Sequence, residues 1–236
     1  MRLDKYISKA FGVSRKVAKE LIRQGRVCIN GQRVRRADFK VPTNSKVVID
    51  GEELELKEKI YLMFYKPKGY LSTTERESDY PSFLELLSEY EHLKPFAAGR
   101  LDVDAEGFLL VTNDGLFAHR ITHPRWGVSK TYEVILEKPI SSEDVDKLLR
   151  GEVQVEGKPV KAKEVKLLDK NMVLLTLTEG KYHIVKRLFR SLGNKVLHLK
   201  RVTIGGVTLD PSLREGEYRE LTEEELKKLK RLVKLE

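Results

Sequence analysis

Gly99-Arg100-Leu101-Asp102-Val103-Asp104-Ala105-Glu106-Gly107-Phe108-Leu109-Leu110-Val111-Thr112-Asn113-Asp114-Gly115 is the stretch around which the chain is organised. A glycine, an arginine and a carboxylate stand directly before an apolar run, Phe108–Thr112, that reads as a strand. Asn113-Asp114-Gly115 closes that run with a strong turn signal. Asp102, Asp104 and Glu106 alternate, so an extended segment would set them on one face. That spacing raises two chemistries, a metal site and a paired-acid glycosidase. No histidine at ligand spacing accompanies them, and neither phosphate-loop nor zinc spacing occurs along the chain, which argues against both. Asp104 and Glu106 then read as solvated loop residues.

Upstream lies the charge. The net charge is +9, and residues 1–50 hold 13 Lys/Arg against 4 Asp/Glu, so all of the excess sits in the first fifth of the chain. A field that concentrated points to a polyanion, and to nucleic acid before membrane because no apolar face accompanies it. Leu3, Tyr6, Ile7, Ala10 and Phe11 fall at helical spacing, with Gly12 as a stop. Ser14 caps a second helix whose apolar face is Val17, Ala18, Leu21 and Ile22, ended by Gly25. Arg15, Lys16, Lys19 and Arg23 gather on one arc of that helix. Val27-Cys28-Ile29 and Gln32-Arg33-Val34 flank Asn30-Gly31, a two-residue hairpin turn, and Arg33, Arg35 and Arg36 extend the basic surface.

At 236 residues the chain can bury one large core and a small satellite. No stretch is long and apolar enough to span a bilayer, and the start lacks a secretory apolar region, so a cytoplasmic address is expected. Cys28 is the single cysteine, which excludes an intrachain disulfide and a cysteine zinc cluster. The charge changes sign across residues 51–60, and a linker is expected there, dividing a domain at 1–58 from one at 59–236. The second domain opens with a buried strand at 61–65. Further strands are expected at Phe108–Thr112, Thr131–Leu136, Met172–Thr178 and Val196–Val202, and helices at Ser142–Arg150, Tyr182–Leu192 and Glu223–Lys234. Strands, hairpin turns and intervening helices in this order suggest α+β with a mixed sheet rather than a regular βαβ repeat.

In the stretch Glu179-Gly180-Lys181-Tyr182-His183-Ile184-Val185-Lys186-Arg187-Leu188-Phe189, two faces repeat at helical spacing. Val185, Leu188, Phe189 and Leu192 form the apolar one; His183, Lys186, Arg187 and Arg190 form a cationic one. Lys130-Thr131-Tyr132 opens another strand, and Lys66-Pro67-Lys68-Gly69-Tyr70 follows the first. The proline and glycine of the latter fix a turn, and its lysines are candidates for phosphate.

Taken in order, Lys66–Tyr70, Gly99–Asp102, Lys130–Tyr132 and Glu179–Arg187 resemble the four motifs of the pseudouridine synthases. The helix-helix-hairpin of the first fifty residues resembles the S-four-type RNA-binding domain. The resemblance covers residues 1 to about 225 and is strongest to the group that acts on small-subunit ribosomal RNA, through Ala97-Ala98 and the ending Ile204–Asp210 with Gly216–Arg219. It implies an α+β synthase domain with a central cleft, and an enzyme that turns one uridine of ribosomal RNA into pseudouridine without metal, nucleotide or other cofactor. Its partner would be ribosomal RNA or an assembling small subunit, and the protein a monomer. By that match Asp102 is the catalytic carboxylate, either as nucleophile at the anomeric carbon or as base on the ribose. Lys186 pairs with it, Tyr132 stacks on the target base, and Arg100 fills the gap that the uridine leaves. Lys130, Arg187 and the basic helix residues Arg15, Lys16, Lys19 and Arg23 contact RNA. Ile184 stands where the family usually has glutamine and Ala105 where threonine is common. A large-subunit RNA target and a non-catalytic ribosome-assembly factor are the competing readings.

Overall fold

Alternating apolar residues become strands only where a partner backbone lies alongside, and the two parts of this chain find their partners separately. The computed structural model describes residues 1–56, 59–74, 79–181 and 183–236. It divides into two compact units, Met1–Glu58 and Lys59–Glu236.

In the first unit, α1 (Leu3–Phe11) and α2 (Arg15–Arg23) precede β1 (Val27–Ile29), β2 (Gln32–Arg33), β3 (Val47–Ile49) and β4 (Glu52–Leu54). The strands pair antiparallel in the order β2-β1-β3-β4. Gly12 takes the left-handed conformation that closes α1, and the Ser14 hydroxyl accepts from the Val17 amide at 3.2 Å to open α2. Asn30 and Gly31 both have positive φ, as the hairpin dipeptide requires. Leu3, Ile7, Ala18, Ile22, Val27 and Val47 make the core. Phe11 and Val17, expected on the apolar faces, are 44% and 46% exposed, because they lie in terminal turns where the packed stripe runs out. Residues 51–54 are not linker. Asp50-Gly51 is a second positive-φ turn, and it returns the chain as the edge strand β4, which buries only Leu54 and therefore looks charged in sequence.

In the second unit the sheet strands are β5 (Tyr61–Lys66), β6 (Phe96–Ala97), β7 (Glu106–Thr112), β8 (Lys130–Leu136), β11 (Glu164–Asp169), β12 (Met172–Leu177), β13 (Val196–Ile204), β14 (Val207–Thr208) and β15 (Tyr218–Glu220). A separate hairpin pairs β9 (Val153–Val155) with β10 (Lys158–Val160), and the helices are α3 (Gly115–Thr122), α4 (Ser142–Arg150), α5 (Ile184–Ser191) and α6 (Glu223–Leu232). The order across the sheet is β11-β12-β8-β13-β7-β5-β15, with β14 beside β13 and β6 beside β7. Neighbours run antiparallel except β13 and β7, which are parallel and make the sheet mixed. Leu62, Phe64, Leu109, Val134 and Leu175 pack on one face with Leu188 of α5; Met63, Phe108, Leu110 and Ile204 pack on the other with Phe117 and Leu229. Every residue of β7 is buried, so this strand reads as a continuous apolar run instead of an alternation.

Several boundaries differ from the sequence reading: β7 begins two residues early at Glu106, β13 runs on to Ile204, and β8 and β12 shift by one residue at an end. Asn113-Asp114-Gly115 is no simple turn: the Asp114 carboxylate accepts from the Phe117 amide and caps α3. The helix expected from Tyr182 begins at Ile184, with His183 as a left-handed cap; Tyr182 lies outside the described residues. The last helix stops at Leu232 and begins with the reciprocal bonds of a capping box between Thr222 and Glu225. Among the described residues no helix is long and apolar enough to cross a membrane.

Gly107 makes the parallel pair possible. Its φ is +109°, and a Cβ there would lie 2.3 Å from the Arg201 carbonyl oxygen and 2.8 Å from its nitrogen. Gly107→Ala should therefore cost on the order of 3–5 kcal/mol, since both strain and a backbone clash act at one point. Denaturant unfolding checks this; a loss below about 1 kcal/mol would mean that β13 can move aside.

Candidate active site

Residues 98–105 join β6 to β7 without regular structure, and within the loop the Ala105 N–H donates to Asp102 O at 3.0 Å. Its geometry is imposed from outside. Arg201 of β13, nearly buried, donates to Gly99 O at 3.5 Å, Arg100 O at 3.3 Å and Phe108 O at 2.8 Å. Ser72 Oγ donates to Leu101 O at 2.8 Å and accepts from Leu101 N–H at 3.0 Å. Gly69 N–H reaches Val103 O at 2.7 Å, and Lys66 Nζ reaches Ala105 O at 2.8 Å. The carbonyls of Gly99, Arg100, Leu101, Val103 and Ala105 are thus each held by a donor outside the loop, which is how an irregular segment becomes a rigid one.

The motif around Lys66 is part of this scaffold. Lys66 is fully buried and so is withdrawn from any phosphate; burial pushes its ammonium down to about 8, against the opposing pull of Asp102 and Asp104. Lys68 lies 2.7 Å from His198 Nδ1.

On this frame the Asp102 carboxylate, 20% exposed, meets α5. His183 Nε2 is 3.1 Å from Oδ1 and Lys186 Nζ is 3.4 Å from Oδ2. His183 reaches the carboxylate from the left-handed cap that precedes α5, and Lys186 from the first turn of the helix. Lys186 also lies 2.5 Å from Asp104 Oδ1. Burial raises the Asp104 carboxyl, but the hydrogen bond and charge of Lys186 outweigh it and hold the group below the usual range. Asp104 is thus exposed yet paired. Glu106 is not a loop residue: as the first residue of β7 it is buried, 2.7 Å from His198 Nε2 and accepting from the Tyr65 hydroxyl at 3.4 Å. The turn at Asp102–Ala105 breaks the extended face that would have aligned the three carboxylates. Among the described residues no group of three His, Cys, Asp or Glu is arranged to hold a metal.

Asp102 borders an open cleft. Tyr132 and Lys130, two residues apart and so on one face of β8, wall its buried part with Leu199 and Arg201. Arg100, exposed, lies at its rim, and an outer arm continues past Ser72 and Tyr80 to Lys186. Asp102, Tyr132, Arg100, Lys130 and Lys186 therefore come together. Lys130 is 7% exposed and belongs to the cleft wall, not to an outer basic surface. Arg187 does not join them: its guanidinium is 2.6 Å from Glu156 in the turn between β9 and β10. Ile184 is buried beside the cleft and contributes apolar surface.

The basic face of α2 is also sorted. Arg15, with Arg2, pairs with the fully buried Asp4, at 2.7 Å and 3.2 Å. Burial raises the Asp4 carboxyl, but the two guanidiniums more than offset this and lower it. Arg15 thus helps to hold α1 to α2. Lys16 and Arg23 are exposed and Lys19 half-buried; Arg23 lies 3.6 Å from Glu20.

His183, Ser72 and Arg201 were missed as site residues by the sequence reading. His183 appears there only as one cation on a helix face, because a partner 81 positions away has no local trace. Arg201 did leave a signal, a charge at the inward register of Leu199, out of step with His198 and Lys200 on the alternate positions.

A family model described as RNA pseudouridylate synthase matches residues 60–191, and one described as S4 domain matches residues 1–47. A relative named as an uncharacterized RNA pseudouridine synthase, from Aquifex aeolicus (strain VF5), is 53% identical over 235 residues, 99% of this chain and 98% of its own. Ribosomal small subunit pseudouridine synthase A of Escherichia coli (strain K12) is 43% identical over 228 residues, 96% of this chain and 98% of its own. A solved structure, a crystal structure of pseudouridylate synthase, superposes with a TM-score of 0.70 at 40% identity, covering 97% of this chain and 99% of that one.

Ser72→Ala removes one side chain and leaves both backbone groups of Leu101 without their partner. A loss of about 2–3 kcal/mol in thermal unfolding is expected; a loss under about 0.5 kcal/mol would mean the loop is held without it.

Proposed function

The chain belongs to the RNA pseudouridylate synthase family, and on that premise we propose that it isomerises one uridine of small-subunit ribosomal RNA, with Asp102 as the catalytic carboxylate. The observation that carries this reading is the Asp102 carboxylate set between His183 and Lys186 at the edge of a cleft walled by Tyr132. Isomerisation breaks the bond between ribose C1′ and uracil N1, turns the base and joins C1′ to C5. An ionised carboxylate must stand at the ribose, and the Lys186 ammonium offsets the cost of keeping one in a half-closed site. The base must leave its stack to reach that carboxylate, and the Tyr132 ring supplies a replacement face. Arg100 at the rim takes the vacated place in the RNA. Lys16, Lys19 and Arg23 supply phosphate contacts to structured RNA, whose deep major groove hides its base edges. The small-subunit target rests on the name of the Escherichia coli relative. A ribosomal RNA substrate brings a cytoplasmic address with it.

Ribosomal RNA tritiated at uracil C5 tests the reading, because C5 loses its hydrogen when it joins the ribose. Wild-type protein should release tritium from small-subunit RNA or its assembling particle, and folded Asp102→Asn should be slower by at least about a thousandfold. Release from large-subunit RNA alone would move the target; binding without release from either would mark an assembly factor.

Changing Lys16, Lys19 and Arg23 together to glutamine should weaken RNA binding and flatten its dependence on salt. The slope of log K against log salt should fall by about 2 in magnitude, near 0.7–0.9 per lost phosphate contact. An unchanged slope in filter binding at several salt concentrations would remove these residues from the interface.

A further inference from the structure

Besides Arg100 and Lys181 at the mouth, the cleft has Arg201, Lys66, Lys186 and Lys130 in or behind its wall, and three of these have visible structural work. Arg201 spans three backbone carbonyls, Lys66 holds the carbonyls of Ala105 and Pro67 at 2.8 Å, and Lys186 bridges two carboxylates. Lys130 is the exception. It is 7% exposed, and among the described residues its ammonium donates to Ile121 O alone, at a long 3.4 Å, with no carboxylate within ion-pair distance. An ammonium has three donors, so most of this one's capacity is unused inside a nearly closed wall. Burial, with the Arg201 charge adding to it, pushes the group down to about 8. The fold alone would be better served by an apolar side chain of the same length. A buried charge left in a cleft without a partner is compensated by whatever enters the cleft.

We propose that Lys130 contacts the reacting base, its ammonium hydrogen-bonding a carbonyl oxygen of the uracil and stabilising the negative charge that the base acquires when it leaves the ribose. The inference rests on the reading of the cleft as a uridine-isomerising site. Lys130 stands two residues from Tyr132 on the same strand face, so a base lying on the Tyr132 ring presents its edge to the neighbouring side chain. The electron pair of the C1′–N1 bond leaves with the uracil, and its charge spreads from N1 onto O2 and O4. The same pair returns as the C1′–C5 bond; C5 then gives up a proton and N1 gains one. Lys130 keeps its three protons throughout. Whether Asp102 attacks C1′ or removes a ribose proton, the base passes through the same anion, so the role of Lys130 is the same on either route. A fixed cation at the developing charge, in a water-poor wall, is the arrangement that lowers such a barrier.

Lys130→Met separates this role from a structural one. Its thermal midpoint should equal or exceed that of wild type, since an uncompensated charge is removed, while kcat for tritium release falls about 100-fold or more and KM changes only a few-fold. Lys130→Ala, which opens a space of alkylamine size, should regain part of its kcat when methylammonium or ethylammonium is added. A Lys130→Met enzyme with kcat within threefold of wild type overturns the proposal. So does a kcat loss that comes with a lowered midpoint and that no alkylammonium restores. Wild-type protein that releases no tritium sinks the underlying reading and the Lys130 role together, whereas active wild type with equally active Lys130→Met sinks Lys130 alone.

Discussion

The parallel contact between Gly107 and Arg201 is the constraint from which the rest of the large unit follows. Only a residue without a side chain admits the Arg201 backbone so close, and only that approach lets the Arg201 guanidinium reach back to Gly99, Arg100 and Phe108. A bond between two strands thereby becomes a brace for the irregular loop that bears Asp102. Ser72, Gly69 and Lys66 complete the brace from the strand β5 side. A carboxylate on a free loop would sample many positions; here the backbone on both sides of it is held before any substrate arrives. Such pre-set geometry is how a fold keeps one carboxylate in one place.

Positive charge is divided by depth. Buried cations bond to backbone carbonyls and give the site its shape; those at the edge pair with carboxylates and set its electrostatics. Lys130 fits neither class: it lies in the cleft wall with one long bond to Ile121 O, and among the described residues no carboxylate pairs with it. The same division holds in the small unit. Arg15 is drawn inward to Asp4, while Lys16 and Arg23 remain in solvent, so one basic helix face is split between cohesion and free surface charge. Counting charges along the helix cannot separate the two uses; the position of one buried carboxylate does.

Much of this was legible in order along the chain. The caps of α2 and α6, the Asn30-Gly31 hairpin, the apolar strands β5, β7, β8 and β12 and the two-faced helix α5 follow from local chemistry, because each is settled by residues within a turn or two of one another. The pairing of Lys186 with Asp102 was implied by the motifs and is present at 3.4 Å. What misled was also local. Asn113-Asp114-Gly115 suits a turn and a helix cap equally well, and β4 shows a charged pattern because an edge strand buries only one of its residues. Glu106 looks like a third loop carboxylate until the strand is seen to start there.

By itself, then, the sequence determined the element types and the separation of a basic small unit from a mixed α+β one. Those depend on side-chain periodicity, turn chemistry and charge counts, all of which are short-range. Tertiary structure alone decided which cations are spent on backbone and which face the cleft, that His183 joins Lys186 on Asp102, and that Arg187 turns away to Glu156. A hydrogen-bond partner is selected by distance in space. Residues 99 and 201, or 102 and 183, become neighbours only after the sheet has brought β13 beside β7.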